Sequence, residues 1–155
     1  MKTIEYRMQD KSRFGPGPWA DEPDKRQWPD RETGLPCLIV RGPLGALCGY
    51  VGVTESHPWF RRDYDDSTVD ISVHGGLTFA APCSPDGDEG RSICHVPDPG
   101  EPDHMWWFGF DCCHINDLVP GARSQYPGSD DVYRDLDFVA GQCANLARQL
   151  VAAGR

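Results

Sequence analysis

The sequence predicts an α+β fold: one compact domain, mainly an antiparallel sheet, with a single amphipathic C-terminal helix packed on it. Three observations lead there. The stretch "CLIVRGPLGALCGYVGV" holds two short apolar runs split by Gly42, Pro43 and Gly45, the pattern of a β-hairpin. "HMWWFGFDC", beginning at His104, supplies another run of β-formers. Finally, Val132, Leu136, Val139, Cys143, Leu146 and Leu150 recur in steps of three and four, which puts them on one helix face. Strands followed by one terminal helix place that helix across a sheet face. A chain of 155 residues fits one domain with one core.

Taken in chain order, residues 1–35 are dense in Pro, Gly and Asp and predict an irregular arm wrapping the core. Trp19 and Trp28 give that arm something to bury. Residues 36–112 hold the strands and a long loop. Within them, Val69, Ile71 and Val73 alternate with Asp70, Ser72 and His74, which predicts a strand with Asp70 and His74 on one face. Gly75 and Gly76 would let another backbone approach closely. Residues 82–103 read as a loop too long to be structureless unless something pins it or function needs it. The helix is placed at 130–153, with Ser129 or Asp130 as its cap.

The formal charge is −9, which disfavours nonspecific binding to nucleic acid or to an anionic membrane. A local basic pocket stays open, because Arg41, Arg61 and Arg62 can converge without changing the total. No apolar run approaches the roughly 18 residues of a membrane span, and the first residues lack a signal-peptide core. The expected location is therefore the cytoplasm. Seven cysteines without a secretory signal read as mostly reduced thiols, with Cys37, Cys48 and Cys143 in apolar, core-like contexts. Cys83, Cys94, Cys112 and His114 contain enough soft ligands for a structural zinc, and no other cofactor is implied. Packed thiols or a Cys83–Cys94 bridge are the competing reading.

Two groups of residues carry possible chemistry. His74 and His114 can face one cavity as an acid/base pair, oriented by Asp70, Asp111 or Asp117. These two are the catalytic candidates if the protein is an enzyme, a question the sequence leaves open. No Gly-x-Ser-x-Gly elbow, phosphate loop or dinucleotide fingerprint is present. Adjacent Trp106 and Trp107 on a strand must point to opposite faces, so one indole is expected outside the core as a stacking platform. A ligand pocket then follows, walled by "HGGLTF" and "WWFGFDCCH" on neighbouring strands with residues 22–28 as its rim. Its binding residues would be Asp70, His74, Gly75, Gly76, Trp106, Trp107, Asp111 and His114, joined by Lys25, Trp28 and Arg41 from elsewhere.

Those segments, with "GPWADEPDKRQW", "CHVPDPGEPD" and "YRDLDFVAGQCANLARQL", resemble a family of small phage, prophage and bacterial proteins for which no activity is established. The resemblance runs from about Gly17 to Leu150. It implies a single-domain module in which the segments at Glu22 to Lys25, His74 to Gly76 and Phe110 to His114 recur together. Cys113 stands where the family would carry a small residue such as alanine, which argues against a metal role for it. The implied setting is phage counter-defence in the host cytoplasm, with a small polar or nucleotide-like partner. The leading expectation is a binding protein that sequesters a nucleotide-derived signalling molecule. The alternatives are a hydrolase or phosphodiesterase using the histidine pair, and an acidic protein that inhibits a host enzyme. The oligomeric state is not legible.

Overall fold

Six strands form one antiparallel sheet in the order β1-β2-β3-β4-β6-β5. They are β1 (Ile4–Tyr6), β2 (Lys25–Pro29), β3 (Pro36–Arg41), β4 (Leu47–Val53), β5 (Phe79–Pro82) and β6 (Trp106–Asp111). One helix, α1 (Leu136–Ala153), packs across β3 and β4. This computed structural model describes residues 1–84, 87–125 and 130–155.

The hairpin forms as its sequence predicts, with β3 and β4 paired from Cys37↔Val51 to Arg41↔Leu47. Gly45 turns its loop at φ 92°, a left-handed conformation that glycine adopts without steric cost. Strand β6 inserts beside β4, and β5 closes the edge against β6. Ile39, Val51, Phe108 and Phe110 from the sheet meet Val139, Cys143, Leu146 and Leu150 from α1 in the main core. Each side chain so enclosed contributes about 1.5–3 kcal/mol.

The helix begins at Leu136, not at residue 130, with Asp135 as its cap accepting the Phe138 N–H at 2.9 Å. Asp130 does not cap it, and Ser129 lies outside the described residues. Val132 matches the helical period but is half exposed and forms an isolated bridge with Asp117. Its N–H and C=O are taken by Asn116 and Leu118, so backbone pairing overrides the apolar spacing. Leu136 is half-buried and Leu146 fully so.

The arm is less irregular than its composition predicts, because it contributes β1 and β2. The inward residues of β2 are Lys25 and Gln27, polar side chains that hide the alternation on which strand assignment depends. Both are satisfied by the long loop over the second sheet face. Lys25 Nζ donates to the carbonyls of Glu89 (2.6 Å) and Cys94 (2.7 Å), and Gln27 exchanges two bonds with Val96. A Cys83–Cys94 disulfide ties the loop off. Leu38, Tyr50, Met105 and Trp107 form a smaller core beneath it.

Residues 69–73 form no strand, and His74 opens a turn. Val69, Ile71 and Val73 do pack inward. The backbone partners, however, are helix side chains: Gln149 accepts the Ser72 N–H at 2.9 Å, and Gln142 accepts that of His74 at 3.0 Å. Asn145 and Gln149 donate in return to the Ser72 carbonyl. A polar stripe of α1 stands in for a neighbouring strand.

Candidate functional site

Strand β6 ends at Asp111, and the chain turns back at once, with the Cys113 N–H donating to Asp111 Oδ1 at 3.0 Å. Four residues form the next turn, closed by the Asp117 N–H on the His114 carbonyl, with Asn116 at φ 72°. That turn brings Asp117 under the His114 N–H (3.0 Å) and buries its carboxylate. The same carboxylate accepts His74 Nε2 at 2.9 Å and Arg134 Nε at 2.8 Å. Arg134 reaches it because the bridge between Asp117 and Val132 lays residues 130–135 alongside. Burial pushes the Asp117 carboxyl up, but the donors from His74, Arg134 and His114 outweigh it and hold it below the ordinary carboxylate range.

His74 and His114 stand edge to face with ring centroids 5.9 Å apart. His74 also abuts the Phe138 ring at 5.1 Å and is fixed from behind by Gln142. Asp117 therefore sets its tautomer, with hydrogen on Nε2 and a lone pair on Nδ1. His114 lies over Gly75, whose φ is 69°, and a Cβ there would come within 2.1 Å of the imidazole. Its Nε2 is buried and 3.1 Å from Asp111 Oδ1, yet off the line of an N–H bond, so no hydrogen bond joins them. Asp111 is held in turn by the Thr78 hydroxyl at 3.0 Å. Neither Nδ1 has a partner among the described residues, and both rings keep part of their surface in solvent, 18% for His74 and 33% for His114.

Four predicted site residues thus meet: His74, Gly75, Asp111 and His114. Asp117, foreseen as an orienting carboxylate, joins them. Thr78 and Arg134 were not foreseen. Thr78 sits inside "HGGLTF" and its hydroxyl was the available signal, whereas nothing local marks Arg134.

The other candidates lie elsewhere. Lys25 clasps the long loop, and Arg41 is buried against Asp24 (3.2 Å) and Glu22 (3.5 Å) with its remaining donors on Gly45, Pro23 and Tyr133. Both were expected to meet ligand charge, but protein acceptors occupy them. Trp28 packs on the helix-side core from β2, so residues 22–28 are sheet and clasp and not a rim. Asp70 is exposed and shares no face with His74, because no strand sets one. Gly76 turns the chain at φ 79° with open space beside it.

Trp106 and Trp107 do point to opposite faces, one half-buried and the other fully buried. Trp107 is fully buried under the long loop, and Trp106 packs on the helix side with its N–H on the Arg62 carbonyl at 2.9 Å. Trp107 offers no stacking surface, and Trp106 keeps part of its ring in solvent. Arg61 and Arg62 are exposed, Arg62 pairing with Asp66, and they do not converge on Arg41. The proposed zinc ligands are not brought together: Cys83 and Cys94 bond to each other, and Cys112 is a buried core thiol. Among the described residues no three His, Cys, Asp or Glu side chains are placed to hold a metal ion, and no helix is long and apolar enough to cross a membrane. No protein-family model, curated protein or solved structure matches the chain.

Proposed function

We propose that the histidine pair is an acid/base site acting on a phosphate ester, with a nucleotide-derived phosphodiester as the substrate class. The observation that carries this reading is the pairing itself: two imidazoles 5.9 Å apart, each beside its own carboxylate and each with Nδ1 unengaged. Through Asp117, His74 presents a lone pair and serves as the base. It takes a proton from the attacking water as the new P–O bond forms. His114, beside Asp111, serves as the acid, giving a proton to the leaving oxygen as the old P–O bond breaks. Arg134 keeps terminal guanidinium nitrogens without partners among the described residues, a planar donor suited to phosphate oxygens. Stacking on Trp107 is closed off by its burial, and Trp106 is half-buried with its edge tied to Arg62, so the histidine pair offers the better-defined site.

The test is to incubate the protein with cyclic and linear nucleotides and analyse bound and released fractions. Cleaved product is expected, with His74→Gln and His114→Gln each about 10²–10⁴-fold slower, the usual worth of a positioned acid or base. Intact ligand recovered from the bound fraction would replace the enzyme by a sponge. Undiminished turnover in both variants would overturn the site.

A further inference from the structure

The second sheet face carries a cleft of about 400 Å³. That volume suits a small molecule. We infer that it binds a phosphate joined to a flat heterocycle, the chemistry of a nucleoside monophosphate. The inference needs only the cleft and is independent of the histidine reading.

Arg13 and Arg91 stand at this cleft in a chain of net charge −9. Both are exposed, and neither forms an ion pair with a carboxylate among the described residues. Arg13 spends one N–H on the Pro43 carbonyl at 3.1 Å and leans on Phe14; the Arg91 guanidinium has no partner among the described residues. Arg41 also lines the cleft but is neutralised by Asp24, so it walls the site without adding charge. Two guanidinium groups without an ion pair beside one cavity suit an anion with several acceptor oxygens.

The rest of the lining suits a ring. Val40, Ile93 and the buried Tyr50 offer apolar and aromatic surface. Burial pushes the Cys48 thiol to about 12, so this part of the lining stays uncharged at neutral pH. Gln9 adds a specific demand: its side-chain oxygen is buried without a hydrogen-bond partner, although its nitrogen reaches the Arg41 carbonyl at 3.3 Å. A buried acceptor left so is costly unless something fills it. Turned into the cleft by a rotation of the side chain, that oxygen would accept from an amino group on a heterocycle. Cys48 also pairs with Asp111 across the β4–β6 ladder, so the cleft shares a sheet face with that carboxylate.

Calorimetric titration of the wild type with adenosine 5′-monophosphate, adenosine and inorganic phosphate tests this. The monophosphate is expected to bind at least about tenfold more tightly than either fragment, since each charge-assisted bond is worth that much. Arg13→Gln and Arg91→Gln should each weaken it at least about tenfold. Both positions are exposed, so these variants should fold, and unchanged melting confirms it. Repeating the comparison in a His74→Gln background should give the same losses for the two arginine variants, which separates failure of the cleft from failure of the histidine site. Equal binding of adenosine and its monophosphate, or a double arginine variant that binds as the wild type, would overturn the inference. So would no heat from the monophosphate at about 5 mM, well above the millimolar affinity of the weakest specific ligands.

Discussion

Two clusters in this protein carry the same kinds of side chain and put them to opposite uses. In the clasp, Arg41, Lys11, Asp24 and Glu22 tie the arm to β3 and to the start of α1. Asp24 alone receives Met8 N, Gln9 N, Lys11 and Arg41, while Glu22 takes the Leu136 N–H at 2.7 Å. Every Arg41 nitrogen has an acceptor. In the histidine cluster, the carboxylate is equally saturated but the imidazoles are not. A polar group whose bonds all go to protein stabilises a fold; one held on a single side and left open on the other can act on a ligand.

The sharpest way to break that contrast is to remove one member from each side. Arg41→Ala leaves buried Asp24 and half-buried Glu22 short of their guanidinium, and should cost about 3–5 kcal/mol in urea unfolding. His74→Gln removes one of three donors from Asp117 and should cost less than about 2 kcal/mol. Comparable loss of stability in the two variants would erase the distinction between clasp and site.

The clasp was the part least legible in the sequence. Lys25 and Arg41 stand beside glycines, prolines and carboxylates, which looks like exposed ligand-binding chemistry. Their acceptors lie far along the chain, at Glu89, Cys94 and Tyr133, and no local pattern announces such pairings. Polar Lys25 and Gln27 likewise concealed β2. The hairpin, β6 and the helix face from Val139 to Leu150 were readable because apolar periodicity reports burial directly. The histidine cluster lay in between. Reactive residues flanking glycines pointed to His74 and His114, whereas Trp107 misled, since a strand residue facing away from the helix is open only if that sheet face is bare. Here Ile93 and Met105 help to cover it.

Acid sharpens the comparison less strongly, because both clusters hold a carboxylate below the ordinary value. Burial opposes ionisation of Asp24, but the N–H groups of Gln9 and Met8 and the Lys11 ammonium prevail, as the donors do at Asp117. A carboxyl depressed in the folded state contributes stability above its unfolded value of 3.8, and loses it as pH falls through the lower folded value. Urea midpoints should therefore decline from pH 5 towards pH 2, by less in Asp24→Asn and in Asp117→Asn than in the wild type. A wild-type midpoint that stays level over that range would contradict both assignments.

The smallest expected effect on stability is also the most selective. Gly75 and Gly76 are adjacent and both left-handed, at φ 69° and 79°. An added Cβ strains the backbone at either position, by about 1–2 kcal/mol. Their surroundings differ: a Cβ at Gly76 meets nothing within 4 Å, whereas one at Gly75 would lie 2.1 Å from the His114 ring. That ring must then swing away, and with it the 5.9 Å relation to His74 on which proton transfer depends. Gly76→Ala should thus lose a little stability and keep phosphodiester turnover near the wild-type rate. Gly75→Ala should lose at least the backbone strain and, beyond it, about 10²-fold in turnover, the cost of misplacing a catalytic group by an ångström. Adenosine monophosphate binding at the arginine cleft should be unaffected in both, because neither glycine lines it. If the two alanine variants turn over equally, the position of His114 is not what the reaction requires, and the glycine beneath it serves the turn alone.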